Sequence, residues 1–124
     1  LKAELCKYWD PDKIKVCKID ELQSGYFGIV NATPVGMAPN IDDMVIREDV
    51  LKDADFVFDL IYNPKVTKLL ECASKYGCKC INGFSMLFYQ AVKAQEIWTD
   101  VVSDKEALIS LKDEIEEYFN RLSN

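Results

Sequence analysis

Tyr26-Phe27-Gly28-Ile29-Val30-Asn31-Ala32-Thr33 is a run of mainly apolar residues that ends in polar ones, and Asp55-Phe56-Val57-Phe58-Asp59-Leu60-Ile61-Tyr62 repeats the design further along. Strands with one wet face alternate apolar and polar residues. Runs that stay apolar on both faces belong to parallel sheets covered by helices on each side. A third, weaker strand is expected at Cys78-Lys79-Cys80-Ile81, and another of mixed alternation at Ile14-Lys15-Val16-Cys17-Lys18-Ile19.

The helices between these runs are marked by their ends. Asn63-Pro64 reads as a cap followed by a first-turn proline, Leu69, Leu70, Ala73 and Tyr76 share one face, and Gly77 closes the helix. Gly83 precedes a second helix with Leu87, Ala91, Ala94 and Trp98 on one side. The last helix is expected to open on a capping box of Ser103 and Glu106 and to pack a stripe of Leu108, Leu111, Ile115, Tyr118 and Leu122 on the core or, equally, on a further domain. The opening segment keeps Leu1, Leu5 and Tyr8 on one helical face, has no capping residue before it, and is broken by Asp10-Pro11-Asp12. A short helical turn fits Glu48 to Lys52. The order strand, strand, strand, helix, strand, helix, helix defines an α/β fold, a parallel sheet with flanking helices.

Bulk properties narrow the function. The 124 residues suffice for one domain with one core. A formal charge of -6 and a pI of about 4.6 repel phosphate backbones and anionic membranes, which argues against nucleic-acid or membrane partners. No signal-peptide pattern opens the chain, and a cytoplasmic protein is expected. There is no histidine, which removes Ser-His-Asp and Cys-His catalysis and the commonest metal ligand together. The five cysteines, an odd number set in apolar segments, fit a reducing compartment and read as small buried residues. Cys72, Cys78 and Cys80 lack a fourth ligand at a usual spacing, so no metal site is expected.

In open α/β sheets ligands lie beyond the carboxyl ends of the strands. Here those ends deliver Asn31-Ala32-Thr33-Pro34-Val35-Gly36-Met37, then Asp59-Leu60-Ile61-Tyr62-Asn63-Pro64, then Asn82-Gly83-Phe84-Ser85-Met86 straight into a helix. Each piece has a structural reading: Asn31 and Thr33 can end a strand, Asn63-Pro64 can start a helix, and Gly83 can serve close packing. Three such ends on one sheet edge favour a site. Met86 and Gln90, four apart, share a helical face, with Met86 at the ligand end and Gln90 one turn further in. A glutamine amide offers both donor and acceptor to a polyhydroxylated substrate, and Gln90, set among Phe88, Tyr89, Ala91 and Val92, is expected to be buried.

These residues resemble one family. The segment Asn31 to Met37 resembles its Asn-Ala-Thr-Pro-x-Gly-Met loop, and Asp59 to Pro64 with Thr67, Leu69, Leu70, Ala73 and Gly77 resembles a second block. Gly83-x-x-Met86-Leu87-x-x-Gln90, ending at Trp98, resembles a third. They are the signatures of shikimate dehydrogenases, quinate/shikimate dehydrogenases included, matched in order from about Phe27 to Trp98. The resemblance implies reversible hydride transfer between a nicotinamide dinucleotide, usually NADP with NAD as the alternative, and the ring carbon of shikimate or 3-dehydroshikimate, or quinate. That reaction serves aromatic amino-acid precursor biosynthesis. It also implies cofactor contacts at Ala32, Thr33 and Pro34, nicotinamide carboxamide contacts from the backbone at Leu60 and Gly83, the ring against Met86, and substrate hydrogen bonds from Tyr62 and Gln90.

The departures are equally informative. The family's catalytic Lys and Asp lie on an N-terminal domain with no counterpart here, and the Gly-rich pyrophosphate turn and the segment that receives the 2′-phosphate are missing. Residues 1–124 therefore read as the C-terminal portion of a Rossmann-like dinucleotide-binding domain, incomplete, with its first βαβ unit absent and no catalytic residue of its own. If the sheet order is 3-2-1-4-5-6, the absent strands 1 and 2 would fill a gap of roughly 14 Å between the strand at Ile14 to Ile19 and the one at Phe27 to Thr33. The missing N-terminal domain is then the first partner, and both a homodimer and a larger fused enzyme fit the same reading. The competing reading is a non-catalytic nucleotide-binding or interaction module of the same fold. A pure packing module has no use for the polar pair Tyr62 and Gln90.

Overall fold

The computed structural model describes residues 2–5, 7–8 and 10–122, so the expectations for Leu1, Cys6 and Trp9, and for the side chains of Leu5 and Leu122, lie outside the described residues. A single helical turn, α1 (Lys2–Leu5), leads into an irregular segment with short 3₁₀ turns at Pro11–Lys13 and Ile19–Glu21. The centre is a three-stranded parallel sheet of β1 (Gly28–Asn31), β2 (Phe56–Asp59) and β3 (Lys79–Ile81), in the order β1-β2-β3. β1 reaches β2 through a long loop ending in a 3₁₀ turn at Glu48–Leu51, as expected near those residues. β2 reaches β3 through α2 (Lys68–Lys75). After β3 the chain continues as α3 (Phe84–Thr99) and α4 (Lys105–Leu122).

One face of the sheet carries the core. Ile29, Val57 and Cys80 are register partners across the three strands, and Val57 is completely buried. Against this face pack Leu69, Leu70, Cys72 and Ala73 of α2 and Val50 and Leu51 of the 3₁₀ turn. α2 is fixed at both ends. The Thr67 hydroxyl accepts from the Leu70 amide at its start, and Gly77, at a φ of +79°, lets the chain turn back so that the Cys78 amide reaches the Ala73 carbonyl at its end.

Several expectations change. Ile14 to Ile19 forms no strand, since no neighbouring strand among the described residues offers it a ladder to join. The cap of α2 is Thr67; Asn63-Pro64 sits in a loop outside the helix, joined by a cis peptide bond. α4 opens one residue later than the Ser103 box, with Asp104 Oδ1 accepting from the Ala107 amide, because the Ser103 amide is already taken by Glu96. Its stripe is not core: Leu108 and Ile115 are half-buried while Leu111 and Tyr118 are exposed. Nor is the sheet covered alike on both faces, for Val30 and Ile81 on the second face are exposed.

Candidate functional site

The three strand ends meet along one rim. The Leu60 amide donates to the Asn31 carbonyl at 3.0 Å, and the Gly83 amide donates to the Ile61 carbonyl at 3.0 Å, which ties the loops after β1, β2 and β3 side by side. Gly83 is required there: a Cβ on it would overlap the Leu60 carbonyl oxygen, so only glycine lets the two backbones touch.

Under the rim lies a buried polar cluster. Asp59, with no exposed surface, accepts at Oδ1 from Asn31 Nδ2 (3.1 Å) and from the Ile61 amide (3.1 Å), and at Oδ2 from the Thr67 hydroxyl (2.6 Å). Asn31 Oδ1 in turn accepts from the Thr33 amide (3.0 Å) and the Thr33 hydroxyl (2.7 Å). Burying such groups costs little only when their hydrogen bonds are complete, and among the described residues no buried side-chain nitrogen or oxygen lacks a partner.

Above this cluster Ala32, Thr33, Pro34, Met37, Leu60 and Tyr62 line an open groove. Its walls are mainly apolar, with Thr33, Tyr62 and Asn63 as the polar side chains, and none of its side chains is a lysine, aspartate or glutamate. Such a groove can bind a flat ring and hold it, but it brings no carboxylate or ammonium to move a proton. Tyr62 also faces a smaller pocket that it shares with Asn63, Lys65, Asn82, Phe84 and α4, from which Glu116 and Phe119 contribute. α4 is anchored there by a Lys65–Glu116 ion pair of 3.5 Å and by the Phe84 and Phe119 rings, 6.0 Å apart.

Of the expected site residues, Ala32, Thr33, Pro34, Leu60 and Tyr62 converge on the groove, and Gly83 adjoins it through its backbone. Met86 is half-buried in the first turn of α3 and does not line the groove. Gln90 is exposed, contrary to the expected burial. It stands about 200° around the helix from Phe88, which with Phe84 is what α3 buries. The part of α4 in the rim was not expected, because Glu116 lies in a run of acidic residues that reads as solvated. The cysteines largely behave as packing residues. Burial pushes the thiols of Cys72 and Cys78 above their ordinary range, and partial desolvation of the sulfur does the same for Cys80, whose residue as a whole is exposed; both oppose the thiolate form that reacts or binds metal. Cys17 and Cys80 are exposed, against expectation.

A parallel sheet with flanking helices and its loops gathered at the carboxyl edge places the chain among Rossmann-like folds. By sequence and by fold the chain is related to the shikimate dehydrogenases, matching a C-terminal part of them. It is 42 % identical over 98 residues to the shikimate dehydrogenase (NADP(+)) of Methanocaldococcus jannaschii, a match covering 78 % of this chain and 35 % of that protein. A chorismate mutase/shikimate 5-dehydrogenase fusion protein from Clostridium acetobutylicum superposes with a TM-score of 0.70 at 34 % identity, over 73 % of this chain and 34 % of that one. Quinate dehydrogenase from Corynebacterium glutamicum, in complex with NAD, superposes with a TM-score of 0.60 at 32 % identity, over 77 % and 31 %. The chain thus spans about a third of the length of the curated relatives it matches. No protein-family model matches it. No helix among the described residues is long and apolar enough to cross a membrane.

Proposed function

We propose that residues 1–124 form the nicotinamide-side portion of the dinucleotide-binding domain in a cytoplasmic, NADP-dependent oxidoreductase that interconverts 3-dehydroshikimate and shikimate. The observation that carries this reading is the groove itself. Loops that the resemblance assigns to cofactor and substrate come together on one rim, with Thr33, Leu60 and Tyr62 on a shared surface and Gly83 against Leu60.

The residues fit a pyridine ring and its carboxamide. Ala32, Pro34 and Leu60 supply an apolar wall, while the close backbone approach at Gly83 holds the Leu60 carbonyl at a fixed position, the Leu60 and Gly83 amides being spent on the Asn31 and Ile61 carbonyls. The dinucleotide, when bound, supplies the hydride donor and acceptor. By the family resemblance Thr33 would lie along the cofactor and Tyr62 and Gln90, both exposed on this chain, would hydrogen-bond the substrate, while Met86, set back from the groove in the first turn of α3, would reach the ring only from its side. The proton is handled outside this groove, on the separate N-terminal domain implied by the family resemblance, so this segment alone is inactive. The alternative cofactor and substrate, NAD and quinate, are those named for the Corynebacterium relative.

The test uses the complete protein with shikimate or quinate and NADP+ or NAD+, following formation of the reduced dinucleotide. Tyr62→Phe should lower kcat/KM for the hydroxy-acid by an amount equivalent to about 1–3 kcal/mol, and Gln90→Ala should raise its KM while sparing the dinucleotide. Dinucleotide binding without turnover of either substrate would favour the non-catalytic module.

A further inference from the structure

We infer that Asn31, anchored by Asp59, is a positioning residue that holds the Thr33 loop in the shape the dinucleotide needs, although neither side chain lines the groove. The inference rests on the functional reading above. Asn31, Asp59 and Thr67 are the buried polar side chains among the described residues, exposed by 3 %, 0 % and 1 %. They are not scattered through the core but sit together at its upper end. Two residues before Asp59 on the same sheet face, Val57 is apolar and completely buried, and its register partner Ile29 is apolar too. This face of the sheet becomes polar only in the layer beneath the rim. Packing alone would favour leucine there, since a buried carboxyl group costs desolvation that an apolar side chain does not.

What this layer does can be read from its partners. A chain of hydrogen bonds runs from the Leu70 amide at the start of α2 to Thr67, on to Asp59 in β2, to Asn31 in β1, and to Thr33 and the Val35 amide in the groove loop. Asn31 uses both ends of its amide. Its nitrogen donates to Asp59 Oδ1 and to the Val35 carbonyl (3.3 Å), and its oxygen receives two bonds from Thr33. Asp59 fixes the direction of that amide, because only a nitrogen can face its acceptor oxygen. The Asn31 oxygen is thereby turned toward Thr33. The exposed loop of Thr33 to Val35 is thus pinned from below by one side chain, whose orientation is set from the neighbouring strand and from α2.

Asn31→Ser in the complete protein replaces the carboxamide with a single short hydroxyl that cannot span Asp59, Thr33 and Val35 at once. Without ligand, hydrogen exchange of the amides at Thr33 and Val35 should quicken by about tenfold, while β2 and α2 stay protected. NADP+ should bind about tenfold more weakly by calorimetry, with the KM for shikimate changed by less than about twofold. Unaltered loop exchange, or equal weakening toward cofactor and substrate, would overturn the inference. Should Asn31→Ser fail to fold, Thr33→Val at its exposed position carries the exchange test, and unchanged exchange at Val35 has the same force. If the unaltered protein binds no dinucleotide, the functional reading fails by itself, and the exchange experiment still decides whether the tether exists.

Discussion

The two faces of the sheet are built from the same short strands and differ sharply. On one face Val57 meets Leu69, Leu70 and Ala73 of α2 and is shut off from water. On the other, Val30 is 56 % exposed, Ile81 is exposed, and Phe56 and Phe58 are half-covered, Phe56 by an edge-on contact with Phe27 at 5.6 Å. The strands carry apolar residues on both sides, yet only one side has a helix docked with Leu and Ala facing it. Strand composition reports what a sheet can bury. Burial itself is decided by what the connections bring, and here the β2–α2–β3 crossover covers one face only.

The largest effect should come from opening the closed face. Leu69→Ala removes a buried side chain between α2 and Val57 and should lower unfolding stability by about 2–5 kcal/mol in denaturant melts of the complete protein. A loss below about 1 kcal/mol would mean that this face is less tightly packed than its burial indicates. The next effect belongs to the rim. Gly83→Ala drives a methyl into the Leu60 carbonyl, and with backbone on both sides neither partner is a flexible side-chain end. A stability loss of about 1–3 kcal/mol is expected, together with a weaker dinucleotide complex. Full stability with intact binding would show that the loops after β2 and β3 are not pressed together.

Much of this was legible in the sequence, for physical reasons that can be named. β1, β2 and β3 announce themselves as apolar runs ending in polar turns, and α2 as Leu69, Leu70 and Ala73 closed by Gly77. Such signals are local, so they survive without knowledge of the neighbours. The misreadings are those where a neighbour decides. Ile14 to Ile19 has strand composition but no strand to pair with, and Asn63 has cap chemistry, while Thr67 holds the cap position because its hydroxyl reaches both Asp59 and the Leu70 amide. The groove was readable because its lining comes from motif-bearing loops. The Asn31–Asp59 pair beneath it was not, since that contact follows from the parallel register placing the two residues side by side across β1 and β2. Glu116 was equally hidden, its partner Lys65 lying far away along the chain.

The smallest effect should come from the open face, and it sharpens the contrast most economically. Val30→Thr keeps the β-branched shape that suits a strand while exchanging a methyl for a hydroxyl that water can reach. The stability change should stay within about 0.5 kcal/mol, as for exposed positions generally. Val57→Thr, the same exchange on the closed face, would bury that hydroxyl among Leu69, Leu70 and Ala73 and should cost about 1–3 kcal/mol. The two substitutions alter the same atoms in neighbouring strands, so propensity and volume cancel between them and the remaining difference measures cover alone. Equal costs at the two positions would mean that Val30 too is covered in the complete protein. The open face would then be a surface that another part of the complete protein fills, and Val30→Thr would be expected to show its penalty only when that part is present.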